Sequence, residues 1–367
     1  MIDPHISGTA VVLTGGIFDS VNAKSAHGLI RATKRFDVKA IVDARFAGQD
    51  AGMALEGKPA GIPIVATFQE ALDRMGGKPD FAVIGVAFHG GRLPDSFHPQ
   101  IEEILSMGIG LVNGLHENLS DNWTFSQLAV DNHAIIHDIR RVPSLGELHF
   151  WEGRIQEVSS KKVAVLGTDC ALGKRTTTKF LEEEFNRRGH RAEMIFTGQT
   201  GWMQGLRYGF IFDVTPNDFV CGEIEHAIHS CWEEVNPEII LVEGQSSLRN
   251  PSGPCGFEFI ISGRMDAVVL QHMPTRIHFH DHEDYDALMP DPLDEIELIE
   301  RLGTKVVGLS INTQDMTAED ISLYRREMEG QLDIPIVFPL LEGVGRLADA
   351  ILSYEGKYGK AISASSH

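Results

Sequence analysis

The sequence is short of positive charge. Its 32 lysines and arginines face 52 aspartates and glutamates, a formal net charge of −20 over 367 residues. A phosphate backbone needs a basic counter-surface, so nucleic acid is excluded as a principal partner. The deficit is uneven: residues 1–154 hold 13 basic and 18 acidic side chains, net −5, and residues 155–367 hold 19 and 34, net −15. Cysteine is scarce too. The four thiols, Cys170, Cys221, Cys231 and Cys255, include no C-x-x-C pair, which argues against a disulfide framework and against a structural zinc site. No stretch reaches the roughly 18 uninterrupted apolar residues of a membrane span. The opening MIDPHISGTAVV lacks the basic-then-apolar order of a signal peptide. The expectation is a soluble cytoplasmic protein without a membrane partner. Apolar residues at 43% and charged residues at 23% are ordinary for a globular chain, so disordered, collagen-like and coiled-coil readings fall away.

What is present is a double α/β alternation, long enough for two domains. Near-continuous apolar runs of strand length occupy residues 9–14, 38–43, 62–66, 81–86 and 109–113. Strands buried on both faces read this way, and helical spacing lies between them at 21–35, 69–75 and 100–107. This predicts an N-terminal Rossmann-like parallel sheet domain over residues 1–150. Its nucleotide credentials are partial, because the first strand ends in Gly15-Gly16 and not in G-x-G-x-x-G. Asp43 ends the second strand where a ribose-binding acid would sit. A second alternation opens at 163–166, with later strands at 192–196, 238–242, 267–270, 305–310 and 334–338. Helices are expected at 173–188, 217–234, 293–302, 318–332 and 344–353. This predicts a C-terminal P-loop NTPase-like parallel sheet domain over residues 151–367.

The strongest chemical signal is Gly167-Thr168-Asp169-Cys170-Ala171-Leu172-Gly173-Lys174-Arg175-Thr176, between a strand and a helix. A glycine-rich turn there lets successive N–H groups converge on phosphate oxygens, and the helix N-terminus adds partial positive charge. Such a local nest overrides the acidic global field. The loop departs from the Walker pattern twice. Five residues instead of four separate the glycines, and Arg175 stands where Ser or Thr ligates Mg²⁺, with Thr176 about 100° further round the helix. A loop so altered suits a pyrophosphate that is held and not cleaved, as in coenzyme A.

The run IILVEGQ ends a buried-type strand at Glu243, beside the phosphate loop in such folds. The segment FTGQTGW follows another strand and offers Gln199 and Thr200 to a ligand, though a plain turn explains it as well. Downstream, QHMPTRIHFHDH places His278, His280 and His282 in alternation, able to share a face, with polar loop histidines as the bland alternative. No fourth metal ligand is evident, so no metal is expected. Arg276 is a candidate fork for a carboxylate.

Together GTDCALGKRTTT, FTGQTGWMQG, DFVCGEIE, VEGQSSL, QHMPTRIH and the DIRR at 138–141 resemble a family catalogued as a P-loop domain of unknown function. Its characterised members are D-glutamate N-acetyltransferases of bacterial D-glutamate catabolism. The resemblance runs over nearly the whole chain and implies acetyl transfer from acetyl-CoA, as cosubstrate, to the amine of D-glutamate. It implies that Gly167–Thr176 is the CoA phosphate site. For the base it leaves Glu243, Asp169 and His278 open, and for the glutamate carboxylates Arg249 and Arg276. The GTDC…GK element alone is also similar to the dethiobiotin synthetase and cobyrinate amidase branch. The alternative is therefore an ATP- or GTP- and Mg-dependent ligase or kinase. A homo-oligomer is the general expectation for such an enzyme.

Overall fold

The computed structural model describes residues 6–356. The chain forms two compact units. The first holds the chain up to Glu147 together with two later excursions, Gly198–Arg207 and Asp213–Thr215, and the second holds the remainder from Leu148. The change of unit at Glu147–Leu148 lies beside the boundary expected after residue 150, and the GQTGW segment at 198–202 groups with the first unit.

In the first unit six strands form one parallel sheet: β1 (Gly8–Leu13), β2 (Phe36–Val42), β3 (Ile64–Val65), β4 (Phe81–Ile84), β5 (Gly110–Asn113) and β6 (Ile136–Asp138). Their order is β3-β2-β1-β4-β5-β6, the doubly wound arrangement of Rossmann folds. The excursion packs on the helix Lys24–Arg31 of this unit. Ser25 Oγ lies 2.9 Å from Thr200 Oγ1, and Gln204 Nε2 donates to the carbonyls of Gly28 and Ala32. Arg35 Nε donates to the Trp202 carbonyl, with its guanidinium 4.1 Å over the indole. Close approach needs Gly28, since a Cβ there would meet Thr200 Cγ2 at 2.6 Å.

The first glycine turn is closed by its own unit. Asp43 Oδ2 accepts from Thr14 Oγ1 at 2.8 Å and from the Phe18 N–H at 3.1 Å, and Oδ1 accepts from the Arg45 N–H. Asp43 is 1% exposed, so its carboxylate is committed to holding the turn. A Cβ on Gly15 would run into the Phe97 ring, and Arg45 Nη1 donates to the Gly16 carbonyl at 2.9 Å.

The second unit has seven parallel strands: β7 (Lys161–Gly167), β8 (Ala192–Phe196), β9 (Tyr208–Gly209), β10 (Ile239–Glu243), β11 (Ala267–His272), β12 (Lys305–Ile311) and β13 (Ile336–Val337). They run in the order β13-β12-β11-β7-β10-β8-β9. The apolar runs have a direct cause. In β7, Val163 and Val165 enter one core cluster while Ala164 and Leu166 enter another. In β10, Ile239 and Leu241 divide from Ile240 and Val242 in the same way. Both faces are covered, so both sets must be apolar. Parallel strands also bring the loops after β7, β10 and β11 to one end of the sheet, where α/β proteins bind ligands. No helix among the described residues is long and apolar enough to cross a membrane.

Candidate active site

The loop after β7 turns through two left-handed positions, Ala171 at φ 51° and Gly173 at φ 103°, before the helix Lys174–Arg187 begins. The second value is one that only glycine adopts readily. Nothing lies within 4 Å of where a Gly173 Cβ would be. The loop is braced from behind. Thr168 Oγ1 is 2.9 Å from His272 Nδ1, Thr177 Oγ1 donates to Gln271 Oε1 at 2.6 Å, and Asn312 Nδ2 donates to the Leu172 carbonyl at 3.0 Å. Lys174 Nζ donates to the carbonyls of Asp169 at 2.6 Å and Ser246 at 2.9 Å. Burial pulls its ammonium below the ordinary lysine range, with Cys170 and Asp169 opposing.

Asp169 is fully buried. It accepts from Asn250 Nδ2 at 3.1 Å, Arg276 Nη1 at 3.0 Å and the His280 N–H at 2.7 Å. It ties the phosphate loop to the loops after β10 and β11, which is the work of an anchor. Glu243, 5% exposed at the end of β10, carries the Arg175 guanidinium: Nη2 is 2.9 Å and Nε 3.1 Å from Oε1. Burial lowers the Arg175 pKa and Glu243 opposes the shift. Thr176 is half-buried, and its hydroxyl has no partner among the described residues.

The histidine segment is a hairpin. The N–H of Phe279 bonds the Ala287 carbonyl, that of Met289 bonds the Ile277 carbonyl, and His278 pairs with Leu288. His278 Nε2 lies 3.9 Å from Asp286 Oδ1, and the side chain is about one-third exposed (31%). His280 gives its backbone N–H to Asp169, and His282 Nδ1 lies 2.7 Å from the His280 carbonyl. Each arginine is held at one point. Arg276 Nη1 serves Asp169 and the Cys170 carbonyl, and Arg249 Nε donates to the buried Glu295 at 2.7 Å. The other guanidinium nitrogens of both have no partner among the described residues. Burial raises the Glu295 carboxyl pKa, with Arg249 opposing.

Gln199 and Thr200 open the short helix Gln199–Met203 in the first unit, where Thr200 is engaged by Ser25 and Gln199 lies against Gly114. Sequence reasoning passed over His272. It ends β11 at 6% exposure beside Thr168, and burial brings its pKa down to about 4, so it stays a neutral imidazole near pH 7. The signal was there: Gln-His directly after the apolar run AVVL marks a polar strand end next to the loop.

Residues 149–348 match the family described as a domain of unknown function (DUF1611_C), P-loop domain, and residues 44–142 match its DUF1611_N, Rossmann-like domain. A D-glutamate N-acetyltransferase from Tritonibacter scottomollicae is 32% identical over 278 residues, covering 73% of this chain and 80% of that protein. One of the same name from a Pseudoalteromonas species is 28% identical over 271 residues, covering 71% and 78%. The crystal structure of a DUF1611 family protein from Anabaena variabilis is similar with a TM-score of 0.84 at 26% identity, over 94% of this chain and 99% of that one.

Proposed function

From the premise that this chain belongs to the DUF1611 family, we propose that it is an acyltransferase moving the acetyl group of acetyl-CoA to the amine of D-glutamate. The observation that carries the reading is the loop at residues 167–176, a braced phosphate cradle in a chain whose named relatives have this activity. The CoA pyrophosphate lies against the N–H groups of Thr168–Lys174 and the Lys174 ammonium. The reaction forms a C–N bond and breaks a C–S bond. The substrate ammonium first loses a proton, the neutral amine attacks the thioester carbon, and, as the attacking nitrogen gives up a second proton, the tetrahedral oxyanion collapses to expel the CoA thiolate, which takes up a proton.

Of the three candidate bases, Asp169 is held by three donors and Glu243 by Arg175, which leaves His278 as the base that is least engaged. Arg249 and Arg276, each fixed through one nitrogen, offer their remaining N–H groups to the two carboxylates of the acceptor. The protein acts in the cytoplasm on small molecules, as a homo-oligomer. The test is a thiol-release assay in EDTA with acetyl-CoA and D-glutamate, run beside L-glutamate and D-aspartate. Free CoA appearing with D-glutamate alone is expected. No release with any of the three overturns the reading.

A further inference from the structure

The fold of the second unit raises an expectation of Mg²⁺. In a P-loop protein the residue after the loop lysine is Ser or Thr and gives its hydroxyl to the ion, and an acid at a neighbouring strand end completes the site. Neither part fits here. Arg175 stands at the hydroxyl position, and its guanidinium lies on the strand-end acid. Nε is 3.1 Å and Nη2 is 2.9 Å from Glu243 Oε1, and Nη2 is 3.2 Å from Oε2. Mg²⁺ demands oxygen ligands in a near-octahedral array at about 2.0–2.1 Å. A guanidinium bonded to both oxygens of the acid occupies the lone pairs that the ion needs, and it repels a second cation.

The pair is shielded, with the Arg175 side chain 20% exposed and that of Glu243 7%. Screening by salt is correspondingly weak. The place of Arg175 is informative too. It is the second residue of the helix Lys174–Arg187, at the end where the helix dipole disfavours a cation. Glu243 offsets that cost in the free protein, and an anion in the loop offsets it further.

We propose that the phosphate loop binds its diphosphate ligand without a divalent metal, the Arg175 guanidinium, held by Glu243, supplying the charge that Mg²⁺ supplies in other P-loop proteins. The ligand class is an organic diphosphate that is held and not cleaved. Arg175 carries one fixed charge, whereas phosphoryl transfer draws on a metal bridging the β- and γ-phosphates. The inference rests on the phosphate-loop half of the acetyl-CoA reading and is independent of the acceptor. Thr176, whose hydroxyl has no partner among the described residues, follows Arg175 directly and could still receive a metal, which makes the proposal breakable.

The experiment is calorimetric titration of the full chain with CoA, and separately with ADP, in EDTA and in excess Mg²⁺. For the native protein, dissociation constants that agree within about threefold between the two buffers are expected. In Arg175→Thr, affinity in EDTA falls about tenfold or more and Mg²⁺ restores part of it. Arg175→Lys keeps the charge without the fork, so it binds with an intermediate affinity that is still indifferent to Mg²⁺. Thermal unfolding checks that both variants fold; if neither does, the Mg²⁺ response of the native protein decides alone. Binding at least tenfold tighter with Mg²⁺ in the native protein, or undiminished binding by Arg175→Thr in EDTA, overturns the proposal. Binding of ADP but not CoA in EDTA sinks the CoA reading and leaves metal-free binding standing. Binding of neither ligand in either buffer overturns both.

Discussion

The chain contains the same local device twice, a parallel strand running through glycines into a helix, and surrounds it differently each time. At Gly15-Gly16 the turn is filled from within: Phe97 lies over the first glycine, Arg45 takes the carbonyl of the second, and Asp43 spends its oxygens on Thr14, Phe18 and Arg45. At 167–173 the bracing side chains lie behind the loop, and the space around Gly173 is clear. Whether such a turn serves a ligand is decided by what the rest of the unit sends into it. Glycine alone carries little of that information.

This contrast can be broken in several ways. The largest effect is expected from Lys174→Ala, which removes the mobile cation of the second turn. CoA affinity falls about 100-fold, a loss typical of deleting one well-placed charged donor, measured by titration with the fold checked by circular dichroism. A pH dependence should lie in the second turn as well. His272, beside Thr168, has a folded pKa of about 4 against an ordinary 6.5. The unfolded chain therefore binds more protons between those values. The contribution is fully present above about pH 6.5 and is lost as pH falls toward 4, by about 3 kcal/mol. Denaturant unfolding across that range should show a drop for the native protein and a flatter profile for His272→Gln.

Asp43→Ala strips the first turn of the acceptor for three donors and should cost about 2 kcal/mol in denaturant unfolding. CoA affinity is expected to stay unchanged, which separates the two turns by function. The smallest effect, about 1 kcal/mol, is expected from Ser25→Ala, which removes the hydroxyl facing Thr200. A thermal melt beside a CoA titration checks that stability moves and affinity does not.

The sheets were legible because strands covered on both faces carry continuous apolar runs, as at 163–166 in β7, 239–242 in β10 and 267–270 in β11. Strands β6 and β9 were not, because β6 reads Ile-His-Asp and β9 reads Tyr-Gly, neither of them an apolar run. The helix Trp123–Asp131 escaped notice because Trp123 and Val130 are exposed and blur its period. The phosphate loop was legible from its glycines and lysine. The Arg175–Glu243 pair was not, because its partners lie 68 residues apart. Gln199 and Thr200 follow β8 directly, yet they group with the first unit, and the clue to that is Gly28, a mid-helix glycine that lets Thr200 approach.

The most direct test of the contrast is amide hydrogen exchange with and without CoA. Slowed exchange over residues 168–176 with no change over 14–20 is the result this account predicts. Protection at 14–20, or none at 168–176 under saturating CoA, would contradict it.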